Sequence, residues 1–147
     1  MYVITGLDNW LAARLESLKD QYFPETLAYV IGVLKAQAKP RNEIDMSNRS
    51  IVLEYALANE NGNFETFQRI GDWVLWVDII IPQSIVYSKE VVESIGRQSY
   101  MSCYRIMHGK WKVYEELADV LPSLALHVRQ KIFDHEDERE KRLLTLC

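Results

Sequence analysis

The chain has 147 residues, 48% of them hydrophobic and 26% charged, with a formal net charge of −4. That is the profile of an ordinary globular protein, long enough to bury one core in a single domain. The acidic balance argues against DNA or RNA as partner, because phosphate contacts need a basic surface.

The two cysteines, Cys103 and Cys147, make no disulfide framework. The first ten residues lack the basic and apolar segments of a signal peptide, and the longest apolar run is about half of what a bilayer span needs. These readings predict a cytoplasmic protein, with no membrane partner.

From the N-terminus, Thr5 and Asp8 have the spacing of a helix start. Leu7, Leu11, Leu15, Leu18 and Tyr22 then recur at helical spacing, which predicts a helix over 7–22. Pro24 and Glu25 fit the first turn of a second helix, with Leu27, Val30, Ile31, Leu34 and Ala38 on its apolar face. The short link makes these two helices antiparallel neighbours. Pro40 ends the second helix, and 39–45 read as a polar loop. Asp45 or Ser47 can cap a third helix, in which Ile51, Tyr55 and Ala58 share a face widened by Val52, Leu53 and Leu57. The Asn61-Gly62 step ends it.

The fourth helix is predicted over about 64–81 and is the centre of the fold. Between Trp73 and Ile81 only Asp78 interrupts the apolar residues, so most of its sides need cover. The β-branched run at its end also suits a buried strand. Only 1–5 offer a comparable partner, however, and one strand makes no sheet. A short connector follows Pro82, and Ser88 caps a fifth helix over 88–108 that stops at Gly109. On it Gly96, Ser99 and Cys103 form a small-residue stripe that admits a close neighbour. A short helix over 111–120 is predicted to bury Trp111, Tyr114, Leu117 and Ala118, and Pro122 opens a last helix facing the core through Leu124, Val128, Ile132 and Phe133. Residues 134–142 are polar all round, an exposed helical extension before Leu143, Leu144 and Leu146. The fold class expected is therefore all-α, a single compact bundle of six or seven helices spanning 1–147, with the fourth helix packed on the fifth.

The most specific feature is a matched pair of steps, Ile70-Gly71-Asp72 and Ile95-Gly96-Arg97. If the two helices cross at their glycines, Asp72 and Arg97 can pair beside the contact. The same residues, with Ser99 and Tyr100, can instead line a polar pocket, and a carboxylate left unpartnered there would have a raised pKa. The aromatic residues, Trp73 and Trp76 among them, read as packing or as the lining of a cavity or interface. His108, His127 and His135 show no metal-ligand spacing, and no glycine-rich phosphate loop occurs, so no metal or cofactor is expected. Cys103 reads as a buried, inert thiol.

Ile70, Gly71, Asp72, Leu75, Pro82, Gly96, Ser99 and Tyr100 form a pattern, I-G-D-x-x-L, then proline, then G-x-x-S-Y. In this it resembles small uncharacterised bacterial proteins over 70–100. The resemblance implies a bacterial, cytoplasmic, helical protein and brings no established activity.

Three readings of function follow. With catalytic motifs missing and an apolar C-terminal end, the first is a non-enzymatic interaction module. It self-associates as a homodimer through the C-terminal helix, or binds a protein partner. The second is a small-ligand binder with a pocket between the fourth and fifth helices, and the third an enzyme using Asp72 as a base.

Overall fold

The computed structural model describes residues 2–38, 48–85 and 88–134. The elements run α1 (Tyr2–Leu15), a 3-10 turn (Glu16–Asp20), α2 (Pro24–Ala38), α3 (Asn48–Asn61), α4 (Phe64–Ile80), a 3-10 turn (Pro82–Ser84), α5 (Lys89–Ile106), α6 (Lys112–Arg129) and a π-helical turn (Gln130–Asp134). All the regular elements among the described residues are helical, and they pack as one bundle.

The central place of α4 follows from its composition. Phe67, Ile70, Val74, Leu75, Val77 and Ile79 are all buried, on more than one side of the helix. Asn63 starts it, its side chain accepting from the Thr66 backbone N–H at 2.9 Å. The β-branched run at its end stays helical because the helix satisfies its own backbone where no partner strand is at hand.

α5 lies antiparallel against α4, and the glycines set how close. A Cβ on Gly71 would sit 2.8 Å from the Tyr100 ring, and one on Gly96 would sit 2.6 Å from a Val74 methyl. Each helix thus offers a bare backbone to the other's side chain, as the small-residue stripe predicts. α6 covers both, burying Tyr114, Leu117, Leu121, Leu124 and Val128. α1 and α2 pack as neighbours, tied at the surface by Lys35 and Asp8 at 2.8 Å.

Several boundaries differ from the sequence reading. α1 begins at Tyr2, ahead of the Thr5 and Asp8 start, and tightens into 3-10 geometry from Glu16. Ser88 precedes α5 without capping it through its side chain. On α3, Ile51 and Ala58 are buried, but Val52, Leu53 and Leu57 are exposed. The two helices expected around Pro122 are one, α6, with the proline inside it. Proline lacks an N–H and cannot serve the carbonyl four residues back, that of Ala118. Arg97 fills that role from α5: its Nε donates to the Ala118 carbonyl at 2.7 Å. α6 also crosses the end of α4, where Arg129 donates to the Ile79 and Ile80 carbonyls at 2.7 and 3.1 Å. The polar loop at 39–45, its caps at Asp45 and Ser47, and the extension with Leu143, Leu144 and Leu146 lie outside the described residues.

Candidate functional site: an aromatic cleft backed by a buried carboxyl

α5 ends in a tight turn. His108 and Gly109 both take left-handed backbone conformations, with φ of 56° and 74°, and Gly109 has no side chain to strain there. The turn delivers Lys110, Trp111 and the first residues of α6 to a position facing the start of α2. Between them is a cleft of about 760 Å³ lined by Phe23, Glu25, Ala28 and Tyr29 on one side and by Lys110, Trp111, Lys112 and Val113 on the other. Sites for small molecules run from about 300 to 1,000 Å³.

The walls are fixed to one another. The Phe23 backbone N–H donates to Glu116 Oε1 at 3.0 Å. Just before it, Tyr22 shares a 2.6 Å hydrogen bond with His127 Nδ1. Phe23 and Trp111 are large rings left 53% and 51% exposed. Trp111 lies almost parallel to Tyr114, with centroids 5.9 Å apart and planes 8° apart. Tyr29 meets Tyr114 edge to face at 5.5 Å. These are favourable geometries, so the rings hold their places as preformed surface.

Behind the Tyr29 wall is a buried polar network. The Tyr29 hydroxyl donates to Asp72 Oδ1 at 2.6 Å, and the Tyr100 hydroxyl donates to the same oxygen at 2.8 Å. Gln68 Nε2 donates to the Tyr114 hydroxyl at 2.9 Å. Burial pushes the Asp72 carboxyl up to about 6, against the pull of the two phenol hydrogen bonds. Burial first, and then the Asp72 charge, raises Tyr29 and Tyr100, which stay protonated donors. Cys103 is pushed up to about 12 by burial and by Asp72, so its thiol is inert at neutral pH.

Of the residues singled out in the sequence, Asp72 and Tyr100 meet in this network, and Tyr100 is fully buried. Arg97 does not join them. No ion pair links Asp72 to Arg97 among the described residues: Asp72 faces the phenols, and Arg97 turns toward α6. Ser99 is fully buried on α5, and Trp73 and Trp76 are half-buried against the core. None of these six lines the cleft. Sequence reading missed Phe23, Tyr29 and Lys110, and placed Trp111 only within the wider aromatic set, because the walls come from segments about ninety residues apart. The one local signal was Trp111 between two lysines, directly after a helix-ending glycine.

The arrangement can hold a flat molecule against fixed rings, with a protonatable carboxyl one side chain deeper. It offers no activated nucleophile, since the phenols and the thiol stay protonated, and no cluster of metal-binding side chains occurs among the described residues. Nor does any described helix reach the length and apolarity needed to cross a membrane. Comparison with protein-family models, curated proteins and solved structures gave no match.

Proposed function

We propose that this protein is a small-ligand-binding helical bundle whose cleft takes a planar, largely apolar molecule with one anionic group. The observation that carries this reading is the preformed aromatic lining: Phe23, Tyr29 and Trp111 surround a ligand-sized space, and two of them keep half their surface exposed. The charge follows from the same lining, where two lysines outnumber one glutamate. Lys112 also lies 3.7 Å from Glu115 and 3.3 Å from the Tyr104 hydroxyl. Lys110 has no ion-pair partner among the described residues, which leaves its ammonium for the ligand. The resemblance over 70–100 supports a bacterial, cytoplasmic setting.

The test is fluorescence titration with anilinonaphthalene sulfonate and with its neutral relative N-phenylnaphthylamine. Saturable binding of the sulfonate is expected, weakened about tenfold by Trp111→Ala or Phe23→Ala. Both rings are half exposed, so the variants keep the fold. Lys110→Gln should weaken the sulfonate about two- to fivefold and leave the neutral probe unchanged. Absence of saturable binding by either probe overturns the reading; equal binding of both, indifferent to Lys110, overturns the anionic part.

A second reading, self-association, is favoured by the exposed Val52, Leu53 and Leu57 on α3. Apolar side chains on successive turns of one face suit a helix from a second copy. Sedimentation equilibrium of the full chain and of a Leu53→Glu, Leu57→Glu variant tests it. A monomer in both cases removes it.

A further inference from the structure

Near the end of α4, outside the cleft lining, Asp78 is out of register with ordinary packing. Its side chain is 2% exposed, and neither carboxyl oxygen has a hydrogen-bond donor within reach. Lys89 Nζ stands 3.6 Å from Oδ1, too far for a hydrogen bond, and its own side chain is 56% exposed. A buried carboxylate with no donor on either oxygen is costly, and native structures seldom leave one so.

The antiparallel register supplies a candidate donor. Gly71 lies against Tyr100 and Val74 against Gly96. One more turn along α4 is Asp78, and one turn back along α5 is Glu93, whose carboxyl faces it. Glu93 stands four residues after Lys89 and so shares its face of α5. Two ionised carboxylates are both acceptors and cannot bond one another, but a protonated one donates to the other.

We propose that Asp78 and Glu93 share one proton at neutral pH, a carboxylic acid paired with a carboxylate, and that this pair is a pH-sensitive latch between α4 and α5. Burial, the hydrogen bond to Asp78 and the Asp78 charge push the Glu93 carboxyl up to about 8, with Lys89 opposing and Glu90 adding. Among the described residues, charged groups on the neighbouring helices are engaged elsewhere. Arg129 of α6 serves the Ile79 and Ile80 carbonyls. On α3, Glu54 pairs with Arg69 at 3.0 Å. The turn Pro82–Ser84 has no ionisable side chain.

The stability that the raised Glu93 pKa contributes is fully present below the ordinary carboxylate range and is lost as pH rises through about 8, where the folded protein gives up the proton that the unfolded chain released near 4.5. The experiment is carbon NMR of the Glu93 carboxyl in the full chain, with thermal unfolding followed from about pH 7 to 9, above the range in which Asp72 titrates. In the wild type Glu93 should titrate near pH 8 and the melting temperature should fall across the window. Glu93→Gln, whose amide keeps a donor for Asp78, should lose that slope. Asp78→Asn should lower the pH at which Glu93 titrates, with burial still holding it above the ordinary carboxylate range. A wild-type Glu93 titrating near 4.5 overturns the proposal, as does an unchanged slope in Glu93→Gln. Both readouts stand even if Asp78→Asn fails to fold.

Discussion

At Gly71 one hydrogen atom separates the α4 backbone from the Tyr100 ring. Elsewhere on an exposed helix, alanine in place of glycine would stabilise by about 1 kcal/mol. Here the new methyl would meet three ring atoms within 2.9 Å. That ring is fully buried and its hydroxyl is held by Asp72, so it has nowhere to swing. Overpacking should win: Gly71→Ala is expected to destabilise by about 1–3 kcal/mol in urea unfolding. Gly96→Ala should behave the same way against Val74. The sequence shows why glycine sits in both helices, since small residues admit a close neighbour. It does not show which neighbour arrives. The I-G-D and I-G-R steps invite a charge pair. Yet a helix turns about 100° per residue, so the residues after the two contact glycines need not face each other. Asp72 meets phenols from both α2 and α5 rather than a charge, and Arg97 is carried toward α6, where it finds the Ala118 carbonyl.

Among the elements, α6 is the one whose sequence misleads. Pro122 reads as a helix start, because a proline in a helix interior removes a bond and costs about 3 kcal/mol. The helix continues because the freed Ala118 carbonyl is met by Arg97, a side chain 21 residues earlier on α5 that no local pattern ties to that turn. A double-mutant cycle tests this link. Arg97→Met should cost about 1 kcal/mol in the wild type by stripping that carbonyl of its donor. In a Pro122→Ala background the new backbone N–H takes the carbonyl itself, and the cost should fall toward zero. Equal costs in the two backgrounds would show that Arg97 contributes through something else. By contrast α4 and α5 were legible nearly to the residue, since long periodic stretches bounded by Asn-Gly, proline and glycine leave little choice. Between them the helices close over bare glycines, and the cleft is lined by neither. The cleft arises instead where a turn and a helix start approach each other, at residues that break the apolar period. Trp111 illustrates this: it was expected to be buried with Tyr114, and it stacks on Tyr114 from the outer side, half exposed.

For the whole molecule, buried acids set how stability depends on pH. Asp72 has a folded pKa of about 6 against an ordinary value of 3.8. The proton is therefore held more tightly in the folded protein. Its contribution is fully present below about pH 4 and is lost as pH rises through about 6. Melting temperatures taken from pH 4 to 7 should fall with rising pH, and Asp72→Asn should make that fall shallower, leaving the part that Glu93 contributes. Tyr29→Phe removes a hydrogen bond that favours the charged carboxyl, so it should move the fall to higher pH. A wild type whose stability rises over this range would contradict the assignment. Tyr29 has one more consequence, because it belongs to two neighbourhoods. Its ring is a wall of the cleft, and its oxygen ends 2.6 Å from Asp72. A guest leaning on the ring tugs at that bond, so the vibrational band of the carboxyl in the infrared should report a visitor that never touches it.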